Sequence, residues 1–223
     1  MNSNQTVPDT SQLNSDLSMP HGQLVQQALC DLSATDIIQW LAGSNGKLLV
    51  STSFGPFSPV LLKLISEIAP STTVVWVDTG YNTPATYQFA EKIQKLISVN
   101  LQIYHPARSV AHRESMGEHF NPDHEGFDGF KEEVKLEPFR RALKEHAPDY
   151  WITGIRSEES DFRKSRGMVS QGQFGTLKIA PLFHWNTADL EQFMAKHDLP
   201  IENNYFDPTK PEPTSECGLH CRL

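Results

Sequence analysis

The chain has 223 residues, 19 Lys and Arg against 27 Asp and Glu, and a net charge of −8. That length suits one large domain with a small appendage at most, and the acidic balance excludes a general nucleic-acid surface, so any anion site is built from local cations. No apolar run approaches the roughly 18 residues of a membrane span. Three cysteines, Cys30, Cys217 and Cys221, follow a start without a signal-peptide pattern and predict a soluble protein of a reducing, cytoplasmic compartment.

Residues 1–22 are rich in Asn, Ser, Gln and Pro without apolar periodicity and predict a disordered extension. "LVQQAL" and "SATDIIQWLAG" predict helices, the second with Ser33 as N-cap, Asp36 three residues on and Gly43 near its end. Cys30, between them, is expected to be a buried structural thiol. From Lys47 the pattern alternates: strand "KLLV", helix "PVLLKLISEIA", strand "TVVWV", helix "PATYQFAEKIQKL" and strand "LQIY". A long polar stretch follows, then helix "EPFRRALKEH", strands "YWITGI" and "LKIAPL", and helix "ADLEQFMAKH". This alternation predicts an α/β domain over residues 23–205, with a mostly parallel twisted sheet covered by helices on both faces. Residues 206–223 are predicted to form a mobile tail. Ligands on such sheets bind at the carboxyl ends of the strands, which places the site in the loops that follow them.

Three of these loops carry chemistry. "STSFGPFS", residues 51–58, supplies hydroxyls, a glycine and a helix N-terminus marked by Ser58 and Pro59, which suits a phosphate group and equally an ordinary polar turn. It is neither a Walker A loop nor a dinucleotide fingerprint. "VDTGYNTPATY" places Asp78, Thr79 and Gly80 at a strand end, with Thr83 as N-cap and Pro84 at the first helical position. An Asp there either binds a ribose hydroxyl or caps. "TGIRSEESDFRKSR" concentrates Arg156, Arg163, Lys164 and Arg166, a set suited to phosphate or sulfonate oxygens but also to a solvated charge run.

The end of the chain, "SECGLHCRL", has no apolar face worth burying, which leaves a mobile nucleophile, a redox pair or a metal site of Cys217, His220 and Cys221. Three ligands packed so tightly make a poor tetrahedral zinc site, and positions four apart on a helix suit a disulfide badly. No metal site is therefore assigned, and Cys221 is read as a bystander. His112, His119 and His124 lack ligand spacing and are read as surface residues.

Taken together, "STSFG", "VDTGY", "KLEPFRRALK", "GIRSEESDFR" and "ECGLH", in this order, closely resemble the 3'-phosphoadenylylsulfate (PAPS) reductase family of assimilatory sulfate reduction, over roughly residues 40–220. The resemblance implies an adenine-nucleotide α-hydrolase-like fold, a modified relative of the pyrophosphate-loop ATPases. It implies that Ser51, Ser53, Phe54 and Gly55 cradle the phosphosulfate side of the nucleotide, and that Asp78, Thr79 and Gly80 lie near the adenosine. Lys135 matches the basic residue facing the phosphosulfate, and Arg156 and Arg163, with Ser160 between them, match the two arginines of the family's third loop. Cys217 falls on the catalytic thiol, with nearby arginines and His220 lowering its pKa and Glu216 raising it. Thioredoxin or glutaredoxin is the implied electron donor, and PAPS is reduced through an S-sulfocysteine.

Relatives that reduce adenylylsulfate (APS) carry cysteine pairs for an iron–sulfur cluster. Such a cluster needs about four thiolates, and the chain has three cysteines, so no cluster is expected and PAPS is the favoured substrate. The segment before Cys217 is shorter than in the longer members, which bears on the contacts to the 3'-phosphate. The rival readings are a non-catalytic nucleotide-binding paralogue, APS reduction without a cluster, and adenylyl transfer, for which "STSFG" lacks the usual Ser-Gly-Gly-x-Asp-Ser loop. A homo-oligomer is left open, and neither a nucleic-acid nor a membrane partner is expected.

Overall fold

The computed structural model describes residues 21–210 and Leu219. Cys217, His220 and Cys221, and residues 1–20 of the extension expected over 1–22, lie outside the described residues, while residues 21 and 22 belong to the first helix rather than to an extension. Short runs of apolar and β-branched residues form the central strands β1 (Leu48–Thr52) and β2 (Thr73–Val77). With β3 (Asn100–Tyr104), β4 (Tyr150–Ile152), β5 (Val169–Gln171) and β6 (Leu177–Ile179) they make one sheet of order β3-β2-β1-β4-β6-β5. Every pairing is parallel except β5 with β6. The chain winds outward from β1 through β2 to β3 and then restarts on the other side of β1 with β4. The switch point lies between β1 and β4.

Successive residues along each strand point to opposite faces, and two apolar clusters result. Val50, Val74, Trp76, Ile152 and Ile179 face one way. Onto them pack α1 (His21–Leu29), α2 (Ala34–Gly43), α3 (Ser58–Ile68), α4 (Pro84–Leu96) and, late in the chain, α9 (Thr187–Lys196). Their neighbours Leu49, Val75 and Trp151 face the other way, against Phe139, Ala142 and Leu143 of α7 (Glu137–His146). The expected mostly parallel sheet with helices on both faces is thus observed. Ser33 Oγ accepts from Asp36 N at 3.2 Å, and Thr83 Oγ1 accepts from Thr86 N at 3.1 Å with Pro84 opening α4, so both expected N-caps are in place.

Some features depart from the sequence pattern. The polar stretch before α7 contains α5 (Val110–Ser115), α6 (Phe127–Lys131) and a π-helical turn over Glu132–Leu136. That turn buries Val134, Lys135 and Leu136 in succession. The strand expected over 150–155 ends at Ile152, after which the chain enters a loop, a 3-10 turn and α8 (Asp161–Arg166). Cys30 is exposed rather than buried, its Sγ donating to Gln27 O at 3.3 Å. The buried stripe of α1 is Val25 and Leu29, and the next residue lies about 100° further round the helix, away from the core. No helix among the described residues is long and apolar enough to cross a membrane.

Phe139 is 1% exposed and sets its ring 4.7 Å from that of Trp151. Phe139→Ala is expected to lower unfolding stability by about 3–5 kcal/mol, measured by urea denaturation, whereas a loss under about 1 kcal/mol would show that α7 does not depend on this contact.

Candidate active site

At the carboxyl edge of the sheet, over the switch point, lies a cleft with a cavity volume of about 250 Å³. Its wall is formed by the loops after β1, β2 and β4, the π-helical turn, the segment 205–210 and Leu219. Placement here is what a doubly wound sheet dictates, because the loops after β1 and β4 diverge to opposite faces and leave a crevice between them.

The β1 loop is held from below. Trp151 Nε1 donates to Ser51 Oγ at 2.8 Å, and Phe54 N donates to Thr52 Oγ1 at 3.2 Å. Phe54 adopts a left-handed backbone, φ 50°, and is fully buried with its ring 4.9 Å from that of Trp76. A non-glycine residue in this region is uncommon, and here the aromatic contact anchors the turn. Ser53 and Gly55 therefore stay at the cleft wall, where α3 begins without a side-chain cap. Ser58 Oγ is buried there and has no hydrogen-bond partner among the described residues. An uncapped N-terminus of an 11-residue helix with an unsatisfied hydroxyl beside it is suited to an anion.

The β2 loop is organised around Asp78. Its Oδ1 accepts from Gly80 N at 3.0 Å, Asn82 Nδ2 at 2.9 Å and Tyr87 OH at 2.7 Å, and His105 Nδ1 lies 3.7 Å from Oδ2. Gly80 has φ 81°, and a Cβ there would meet Val110 Cγ2 at 2.8 Å, so both conformation and space require glycine. Thr79 and Asn82 reach the cleft wall.

The cations of the wall come from three places. Arg156 and Arg163 are 7% and 8% exposed and line the cleft. Arg156 donates to Glu158 Oε1 at 2.9 Å and sits 5.6 Å from the centre of the Phe57 ring, while Arg163 pairs with Glu159. Glu159 Oε2 also accepts from Arg156 N at 2.9 Å, and Ser160 Oγ caps α8 by accepting from Arg163 N at 3.2 Å. Lys164 and Arg166 are exposed and outside the cleft wall, Arg166 lying 5.5 Å from the Phe162 ring. Of the four cations in this segment, two serve the cleft.

Lys135, in the π-helical turn, is a third cation of the wall, and Lys210, in the segment 205–210, is a fourth. The Lys135 Nζ donates to Asp207 Oδ2 at 2.5 Å and to Thr209 Oγ1 at 3.2 Å. Burial pushes the Asp207 carboxyl up, but the Lys135 ammonium and the donors of Thr209 outweigh it and leave the group below its ordinary value.

Among the described residues the wall thus gathers Ser51, Ser53, Gly55, Thr79, Lys135, Arg156 and Arg163, while Phe54, Asp78, Gly80 and Ser160 stand outside it as supports. Sequence reasoning missed Glu158, Glu159 and Asp207, whose partnerships no motif announces, and it missed Leu219. Leu219 is 7% exposed, packs with Leu49, Val75 and Phe139, and lines the cleft. The end of the chain therefore does bury an apolar side chain, and a single leucine suffices because the cleft supplies the rest of the apolar surface.

Residues 47–207 match the phosphoadenosine phosphosulfate reductase domain family. The chain belongs to this family. Like other phosphoadenosine phosphosulfate reductase family members it falls among the oxidoreductases of sulfate assimilation. It is 35% identical over 179 residues to a phosphoadenosine 5'-phosphosulfate reductase of Synechococcus sp., covering 79% of this chain and 77% of the relative. It is also similar to the phosphate complex of phosphoadenylyl-sulfate (PAPS) reductase from Candida auris, with 25% identity, a TM-score of 0.73, and 84% of this chain and 90% of that one covered. The fold is shared further with the Candida glabrata FMN adenylyltransferase in complex with FAD and inorganic pyrophosphate, at 18% identity and a TM-score of 0.52, over 86% of this chain and 64% of that one. The adenine-nucleotide α-hydrolase-like fold that the motifs imply is the one observed.

The Tyr87 phenol is pushed up to about 12, first by burial and then by its hydrogen bond to Asp78. A raised folded-state value means that the neutral phenol contributes stability in full below its ordinary 10.0, and that this contribution is lost as pH rises toward 12. Tyr87→Phe is expected to lose less stability than the parent protein between those pH values, measured by denaturation at each pH; parallel profiles would separate the phenol from the Asp78 loop.

Proposed function

We propose that the protein reduces PAPS to sulfite and adenosine 3',5'-bisphosphate, with Cys217 as nucleophile and thioredoxin, or glutaredoxin, as electron donor in the cytoplasm. The observation that carries this reading is the convergence of Lys135, Arg156, Arg163 and the α3 N-terminus on one cleft whose wall includes Leu219, two residues after Cys217 in the sequence. Family membership supports the same reaction. The cations suit the phosphosulfate and the charge that develops on the departing phosphate, and the Thr79 side of the cleft suits the nucleoside.

The Cys217 thiolate attacks the sulfonate sulfur. The bond from that sulfur to the bridging phosphate oxygen breaks, its electron pair leaves with adenosine 3',5'-bisphosphate, and a sulfur–sulfur bond forms. The thiolate of the reductant then attacks Cys217 Sγ, sulfite departs with the electron pair of that bond, and a mixed disulfide remains. The second thiol of the reductant resolves it and restores the Cys217 thiolate. Two electrons pass from the dithiol to sulfur, and no cluster is needed.

PAPS is preferred to APS in this reading. A phosphate carrying nearly two charges gains from any cationic donor it reaches, although only two of the cations in the Arg156–Arg166 segment face the cleft.

Cys217→Ser is expected to abolish sulfite formation with nucleotide binding nearly intact, followed by sulfite assay and by calorimetry. Normal turnover would remove the thiol from the chemistry. Arg156→Ala and Arg163→Ala are each expected to weaken sulfonucleotide binding by about 1.5–3 kcal/mol; unchanged affinity in both would return that loop to a structural role. With thioredoxin, thioredoxin reductase and NADPH, kcat/KM is expected to be higher for PAPS than for APS. Equal or better use of APS would overturn the substrate choice, and nucleotide binding without sulfite release from either would favour a non-catalytic paralogue.

A further inference from the structure

Three of the cleft cations, Lys135, Arg156 and Arg163, are not held alike. Arg156 and Arg163 pair with Glu158 and Glu159, carboxylates of their own loop. Lys135 pairs with Asp207, 72 residues further along the chain, so this ion pair ties a separate segment to the wall of the cleft. The tie is specific. Asp207 Oδ1 accepts from Thr209 N at 3.0 Å and from Thr209 Oγ1 at 2.6 Å, Oδ2 accepts from the ammonium, and Lys210 N closes the turn onto Asp207 O at 3.0 Å. Lys135, Asp207 and Thr209 are 9%, 8% and 0% exposed.

An arginine fork carries five donors and can keep its glutamate while it receives an oxyanion, whereas an ammonium has three donors around one point charge. Here at least two of those three are engaged by the segment that carries Asp207 and Thr209. An anion arriving at the Lys135 ammonium would sit beside the Asp207 carboxylate in a water-poor setting, where like charges repel far more strongly than in solvent. Both cannot remain on the one cation at full strength.

We propose that Asp207 is a built-in competitor for Lys135. It occupies the ammonium while the cleft is empty, and an anionic nucleotide displaces it, releasing the Asp207–Lys210 turn from the cleft wall. Lys135 is thereby kept compensated and in place between turnovers, and nucleotide binding is coupled to a movement of the segment that leads in sequence toward Cys217. This rests on the reading of the cleft as a nucleotide site, which binding of adenosine 3',5'-bisphosphate to the parent protein tests by itself.

The substitution Asp207→Asn keeps the shape and removes the competing charge. It is expected to lower the thermal stability of the empty protein and yet to tighten adenosine 3',5'-bisphosphate binding by about five- to tenfold, read by calorimetry on folded protein. The gain is expected to vanish on a Lys135→Met background. In the unsubstituted protein, amide exchange of the peptide spanning 205–210 is expected to speed up on adding the same nucleotide, a readout independent of how well the variant folds. Unchanged or weaker binding by Asp207→Asn, or unchanged or slower exchange at 205–210 in the presence of bound nucleotide, would overturn the competition while leaving the nucleotide site standing. No binding by the parent protein would overturn both.

Discussion

An acidic protein that binds an anion has to keep cations out of water without leaving them uncompensated. This constraint governs the cleft. Lys135, Arg156 and Arg163 are each at most 9% exposed in a chain of net charge −8, and each is set against a carboxylate. A buried charge without a partner would cost several kcal/mol. The carboxylates hold the guanidinium and ammonium groups at fixed positions, so that a ligand meets preformed donors rather than flexible side chains.

The sheet decides where those cations can be. Because β4 restarts the winding on the other side of β1, the loops after the two strands part, and the arginine loop faces the β1 loop across the crevice. Trp151 links the two at the level of the strands. It lies on β4, donates to Ser51 on β1, receives the Phe139 ring from α7 and carries the Lys178 ammonium 4.5 Å from its ring centre. Packing on this face thereby sets the position of a hydroxyl in the cleft wall.

The local features were legible before the structure. Apolar runs at Leu48–Thr52 and Thr73–Val77 gave their strands away, and Ser33, Thr83 and Pro84 marked helix starts, because strand pattern and capping depend on residues a few positions apart. What depends on distant partners was not legible. Residue type and charge alone do not separate Arg156 and Arg163, buried at the cleft, from Lys164 and Arg166 in solvent; only the family motif singled out the first two. Lys135 and Asp207 meet across 72 positions. The burial of Leu219 and the exposure of Cys30 depend on which surfaces lie nearby, and composition alone misassigned both. The π-helical turn that brings Lys135 to the wall has no sequence signature of its own.

The central claim is that a sulfonate carried by an adenine nucleotide is transferred to Cys217 at this cleft. Incubation with PAPS in the absence of any reductant, followed by intact-protein and peptide mass spectrometry, tests it most directly. The account predicts the mass of one sulfonate group, located on Cys217 and discharged as sulfite when thioredoxin is added. An unmodified protein, or a sulfonate on Cys30 or Cys221 instead, would contradict it.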